Sequence, residues 1–148
     1  MSQVAAHKNF AVVISSQHSR ISSTIAEVVR SKIETSGNTD DELLLSWVTS
    51  HNESVSACRE LLSRRQTDAV IVISSFSGSD PLPAHQMAKN LRSRLTEVAS
   101  GSNKPMTFGV VVEAVEQGFE TSINDLIRNA VEKTCEEAIV AVRRVGRI

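Results

Sequence analysis

Apolar positions along this chain fall into four short continuous runs. After each run, apolar residues recur at three- and four-residue steps. The first run is Phe10-Ala11-Val12-Val13-Ile14. After the polar Ser15-Ser16-Gln17-His18, residues Ile21, Ile25, Val28, Val29 and Ile33 make one helical face, and Gly37 reads as its stop. The second run is Leu43-Leu44-Leu45-Ser46-Trp47-Val48, followed by Thr49-Ser50-His51-Asn52. Ser50 and Glu53 have the spacing of a capping box, and Val55, Cys58, Leu61 and Leu62 supply the next buried stripe. The third run, Asp68-Ala69-Val70-Ile71-Val72-Ile73, ends in the polar stretch Ser74 to Pro81. A helix with Met87, Leu91, Leu95 and Val98 inward is expected next, capped by Ser79 or Asp80.

The fourth run follows the polar gap Ser100 to Asn103 and reads Lys104-Pro105-Met106-Thr107-Phe108-Gly109-Val110-Val111-Val112-Glu113. Its apolar residues do not alternate with polar ones, as expected of a strand covered on both faces. A short helical piece to about Glu120 comes next. A long helix then carries Ile123, Ile127, Ala130, Val131, Thr134, Cys135, Ala138, Ile139 and Val142. Four strand-helix pairs imply an α/β fold: a three-layer α/β/α sandwich around a four-stranded parallel sheet, flavodoxin-like, with right-handed crossovers. No repeat, linker or low-complexity tract interrupts the 148 residues. Residues 1–148 are therefore expected to form a single domain, with 1–9 as a flexible or intersubunit arm.

Composition narrows the function classes. Apolar residues make up 41%, charged residues 22%, and the formal net charge is −1, so no basic field points to nucleic acid. The Arg143-Arg144 and Arg147 cluster reads as a solvated helix end. No run reaches the ~20 apolar residues that span a bilayer, and the N-terminus lacks a signal-peptide layout. A soluble, cytoplasmic protein is expected. Cys58 and Cys135 fall at apolar helix positions and read as buried free thiols. His7, His18, His51 and His85 lack metal-ligand spacing, so no metal site is expected.

Ligands of open α/β sheets lie beyond the carboxyl ends of the strands. Here those ends are Ser15 to His18, Thr49 to Asn52, Ser74 to Asp80, and Val112-Glu113. Short polar side chains beside helix starts suit a hydroxylated or anionic small molecule. They also suit ordinary caps and turns. Walker-type and dinucleotide-binding glycine loops and a nucleophile elbow are absent.

At Asp68-Ala69-Val70-Ile71, and at Pro105-Met106-Thr107-Phe108-Gly109-Val110-Val111 followed by Glu116-Gln117, the chain resembles the lumazine synthase family. Trp47-Val48 with Glu53 extends the resemblance, which covers nearly the whole chain. It implies a protein of riboflavin biosynthesis that condenses a ribitylamino-pyrimidinedione with 3,4-dihydroxy-2-butanone 4-phosphate. It also implies a homopentamer, or a larger shell of pentamers, with sites between subunits. The family's stacking ring falls on Gln17, and its next residue on His18. His51, Asn52 and Glu53 occupy the ribityl-binding stretch, and Phe108 lines the shared site. The phosphate loop falls on Gly78-Ser79-Asp80, with Ser79 binding phosphate. The family's arginine is replaced at its own position, and Arg128 is the nearest substitute. His85 takes the proton-shuttle role after a two-residue shift. No bound cofactor is implied. The changed stacking, phosphate and arginine positions raise one alternative, a non-catalytic oligomeric scaffold of the same fold. A flavodoxin-like FMN-dependent reductase is another, with Phe76 the one ring in its polar loops.

Overall fold

A computed structural model describes residues 8–16, 19–36, 41–77, 81–113 and 120–145. The order is β1 (Asn9–Ser15), α1 (Ser19–Ser36), β2 (Glu42–Val48), α2 (His51–Ser63), β3 (Ala69–Ser77), α3 (Pro81–Ser100), β4 (Met106–Glu113) and α4 (Glu120–Val145). The four strands form one parallel sheet in the order β2-β1-β3-β4. The expected α/β/α sandwich is the observed architecture.

Two cores cover the two faces of the sheet. Phe10, Val12, Ile14, Ala69, Ile71 and Ile73 turn toward α1 and α4. Ala11, Val13, Val70, Val72, Phe76 and Phe108 turn toward α2 and α3. The period-two alternation of a strand sends successive residues of each apolar run to opposite sides, so both faces are filled. Each core holds one of the free cysteines, Cys135 in the first and Cys58 in the second. Burial pushes the Cys58 thiol up to about 11 and that of Cys135 up to about 12, so both act as small apolar groups.

Asp68, which opens the third run, has a structural task. Its carboxylate accepts the Asn9 N–H at 2.8 Å, and its own N–H donates to the Asn9 carbonyl at 2.9 Å. Lys8 N–H donates to Asp41 Oδ1 at 2.8 Å. Lys8 and Asn9, expected to belong to the N-terminal arm, are thus anchored at the start of β1.

The structure corrects several sequence expectations. Strand β3 continues through Ser74-Ser75-Phe76-Ser77, because those residues keep pairing with Val110 to Glu113 of β4. Met87 is 49% exposed, not inward; Ala84, Ala88, Leu91 and Leu95 form the buried stripe of α3. Strand β2 is an edge, so Leu44 and Trp47 stand 48% and 52% exposed. Strand β4 is the other edge, and its Met106, Thr107 and Val110 are half-buried. Gly37, the Ser79 or Asp80 cap, and the helical piece before Glu120 lie outside the described residues.

Candidate functional site

Chain direction across the sheet reverses between β1 and β3. From β1 the chain passes by α1 to β2 on one side, and from β3 by α3 to β4 on the other. Such a switch point opens a crevice at the carboxyl ends of its two strands. Ser15 ends β1 and is paired with Ser74 of β3, and both are buried. Alternation places them on the face of Val13 and Val72, the α2/α3 side. Two positions beyond Ser74, on the same face, stands Phe76.

Helix α2 brings His51 onto Phe76. The two rings stack with centroids 4.4 Å apart and an interplanar angle of 24°. Helix start and ring position are set together by local hydrogen bonds. Ser50 caps α2 in an extended conformation, and its hydroxyl accepts the Glu53 N–H at 3.1 Å. The Glu53 carboxylate reaches back to accept the Thr49 N–H at 3.3 Å. Asn52 is tied to α3 through its side-chain oxygen, which accepts from Arg94 at 2.7 Å.

Phe76 is only 4% exposed and His51 is half-buried, so the pair meets solvent mainly through the imidazole. Burial pushes the His51 pKa below its ordinary value, and the ring is therefore neutral at neutral pH. Its Nδ1 is buried without a hydrogen-bond partner. The same holds for the hydroxyl of Ser74, a residue with 0% exposure. Buried polar atoms normally find partners, so these two are exceptions on the α2/α3 side of the sheet. Stacking surface, hydroxyls and a neutral imidazole can bind a flat, hydrogen-bonding molecule and move protons on it.

The remaining expected site residues scatter. His85 is exposed on α3. Glu53 is committed to the start of α2, and its carboxylate points to the backbone of Thr49. Phe108 pairs with Val72, whereas Phe76 pairs with Val112. At ~3.3 Å per residue, about 13 Å of strand separates the two rings. Phe108 is buried beneath α3, with the Arg92 guanidinium 5.0 Å over its ring centroid. Arg128 lies on the opposite face of the sheet. It lines a groove of about 370 Å³ between α1 and α4 with Thr24, Ser31, Lys32 and Glu132. Gln17, His18 and Ser79 lie outside the described residues. Sequence reasoning put Ser74 and Phe76 in a ligand-facing strand end, Phe76 only for the flavodoxin-like alternative, and did not select Arg94. Phe76 carried the one available signal, a ring in an aromatic-poor chain.

Among the described residues, no group of three or more His, Cys, Asp or Glu could hold a metal ion. No helix among them is long and apolar enough to cross a membrane.

With the fold and the strand ends in view, comparison with known proteins defines the class. The 6,7-dimethyl-8-ribityllumazine synthase family model matches residues 7–146. The chain belongs to that family. A search of curated proteins returns no match. A solved structure described as a split gene transketolase, inactive beta4 tetramer, superposes with a TM-score of 0.59 at 16% identity. The superposition covers 93% of this chain and 41% of that one. It shows a shared fold, and the present chain spans less than half the length of that protein.

Proposed function

We propose that this chain binds a ribitylated pyrimidine in the crevice between β1 and β3 and condenses it with 3,4-dihydroxy-2-butanone 4-phosphate in the cytoplasm. The observation that carries this reading is the His51–Phe76 stack beside Ser15 and Ser74, at the switch point of a chain from the ribityllumazine synthase family. In the condensation, the ring amine attacks the ketone and water departs, leaving an imine. Loss of phosphate follows, and the ribitylamino nitrogen then closes the second ring on the remaining carbonyl carbon with loss of a second water. These steps require proton transfer at nitrogen and carbon, a task suited to an imidazole. His85 is the family-derived candidate for that role, with Ser79 and Arg128 for phosphate. Residues 1–148 act as one domain, and copies associate into a pentamer or a larger shell. The exposed Leu44 and Trp47 on the β2 edge support association.

A second reading, a non-catalytic scaffold of the same fold, is favoured by one specific observation. Arg128 sits across the sheet from His51, so this chain does not bring that arginine to its own crevice. Mixing the two substrates with purified protein and following lumazine absorbance separates the readings. The catalytic reading expects product above the uncatalysed rate; a rate equal to the protein-free control overturns it in favour of the scaffold.

A further inference from the structure

We infer that the His51–Phe76 stack is an acid-sensitive latch: the neutral imidazole fastens the first turn of α2 to the end of β3, and charging the ring releases that turn. The inference concerns how the helix start is held and does not depend on what the strand ends bind.

The turn has few other attachments. Asn52 and Glu53 are exposed, and the hydrogen bond from Arg94 to the Asn52 side chain ties the turn to α3. The hydrogen bonds among Thr49, Ser50 and Glu53 are internal, so they shape the turn without fixing it to the sheet. His51 supplies the contact with β3, its ring stacked at 4.4 Å on the buried Phe76. Burial begins again at Ser54 and Val55, which hold the rest of the helix.

Three features make that contact sensitive to charge. His51 Nδ1 is buried without a partner, so an imidazolium would place a charged N–H there with no acceptor among the described residues. His51 is also the first residue of α2, where the positive end of the helix dipole opposes a cation. Neighbouring charges, finally, do not compensate. On α2 the Glu53 carboxylate is directed to the Thr49 N–H, and Arg59 and Glu60 lie about two turns further on. On α3, Arg94 is itself a cation held at Asn52, and His85, Lys89, Arg92 and Glu97 are exposed. Strands β1 and β3 contain no titratable side chain, and β2 contains only Glu42, at its amino end. His18 and Asp80 lie outside the described residues. Burial therefore holds the ring neutral. Its contribution is complete above the ordinary 6.5 and is lost as the pH falls from there toward the lowered value of the folded protein.

The test is amide hydrogen exchange of the full chain at about pH 7.5 and about pH 5, corrected for the intrinsic chemical rate, in wild type and His51→Phe. The reporters are the Glu53 and Ser54 amides, both hydrogen-bonded to Ser50, with Val131 and Cys135 of α4 as the reference. In wild type, acid should cost Glu53 and Ser54 their protection and leave the α4 amides protected. His51→Phe keeps a ring on Phe76 that cannot charge, so its protection should be the same at both pH values. Titration of the wild-type His51 ring by NMR needs no variant and should give a midpoint below 6.5. Unchanged wild-type protection in acid, a loss shared equally by α4, an equal loss in His51→Phe, or a midpoint at or above 6.5 each overturns the latch.

Discussion

Gly109 shows how one missing side chain sets the distance between two elements. A Cβ added there would lie 2.2 Å from Thr134 Oγ1 and 3.1 Å from Thr134 Cβ. The threonine cannot easily give way. Its hydroxyl donates to the Ala130 carbonyl at 2.8 Å, and its own carbonyl accepts from Thr107. Gly109→Ala should therefore lower unfolding stability by about 1–3 kcal/mol, the usual cost of overpacking, as read by urea denaturation. Adding Thr134→Ala removes Oγ1 and should recover part of the loss, so the two changes should be non-additive. At this scale the candidate site was only partly legible. The strand ends could be found from the polar residues after each run, and His51 was among them. The stack on Phe76 could not, because it joins residues whose contact depends on how far β3 extends. The face on which Arg128 lies could not be read for a similar reason. Sequence places it on α4 without revealing which face of the sheet α4 covers.

Helix α3 illustrates how element and face can be legible to different degrees. Leu91 and Leu95 on the expected stripe are buried, but the first inward turn uses Ala84 and Ala88 instead of Met87. Alanines allow the helix to lie close to the sheet, and rotating the stripe toward them carries the long methionine side chain into solvent. A paired substitution checks this orientation. Leu91→Ala should cost about 2–5 kcal/mol, whereas Met87→Ala should stay within about 0.5 kcal/mol of wild type in the same chemical melts. The four strands and their order along the chain were readable because continuous apolar runs have few other uses in a chain this size. Their sideways order was not readable, so the run pattern did not show that β2 and β4 are the edges of the sheet. Ser74 to Ser77 read as a turn because serine favours turns. Pairing with β4 overrides that local preference.

Over the whole molecule, one sheet divides two apolar layers that share backbone and little else. Core residues on the α1/α4 side and those on the α2/α3 side belong to separate clusters, and each encloses a single cysteine. Neither thiol can react in the native state, since each is buried and held well above its ordinary pKa. The chain thus carries a chemical reporter in each layer. Pulsed alkylation under native conditions, followed by mass spectrometry, should label Cys58 and Cys135 only as their own layer opens. Helix α4 closes its layer with 26 residues, against 13 for α2 on the other side. Cys58 should accordingly label first, and equal labelling rates would instead mean that the layers open together. Earlier labelling of Cys58 would make the sheet a seam between two foldons, with the α2/α3 layer the first to loosen.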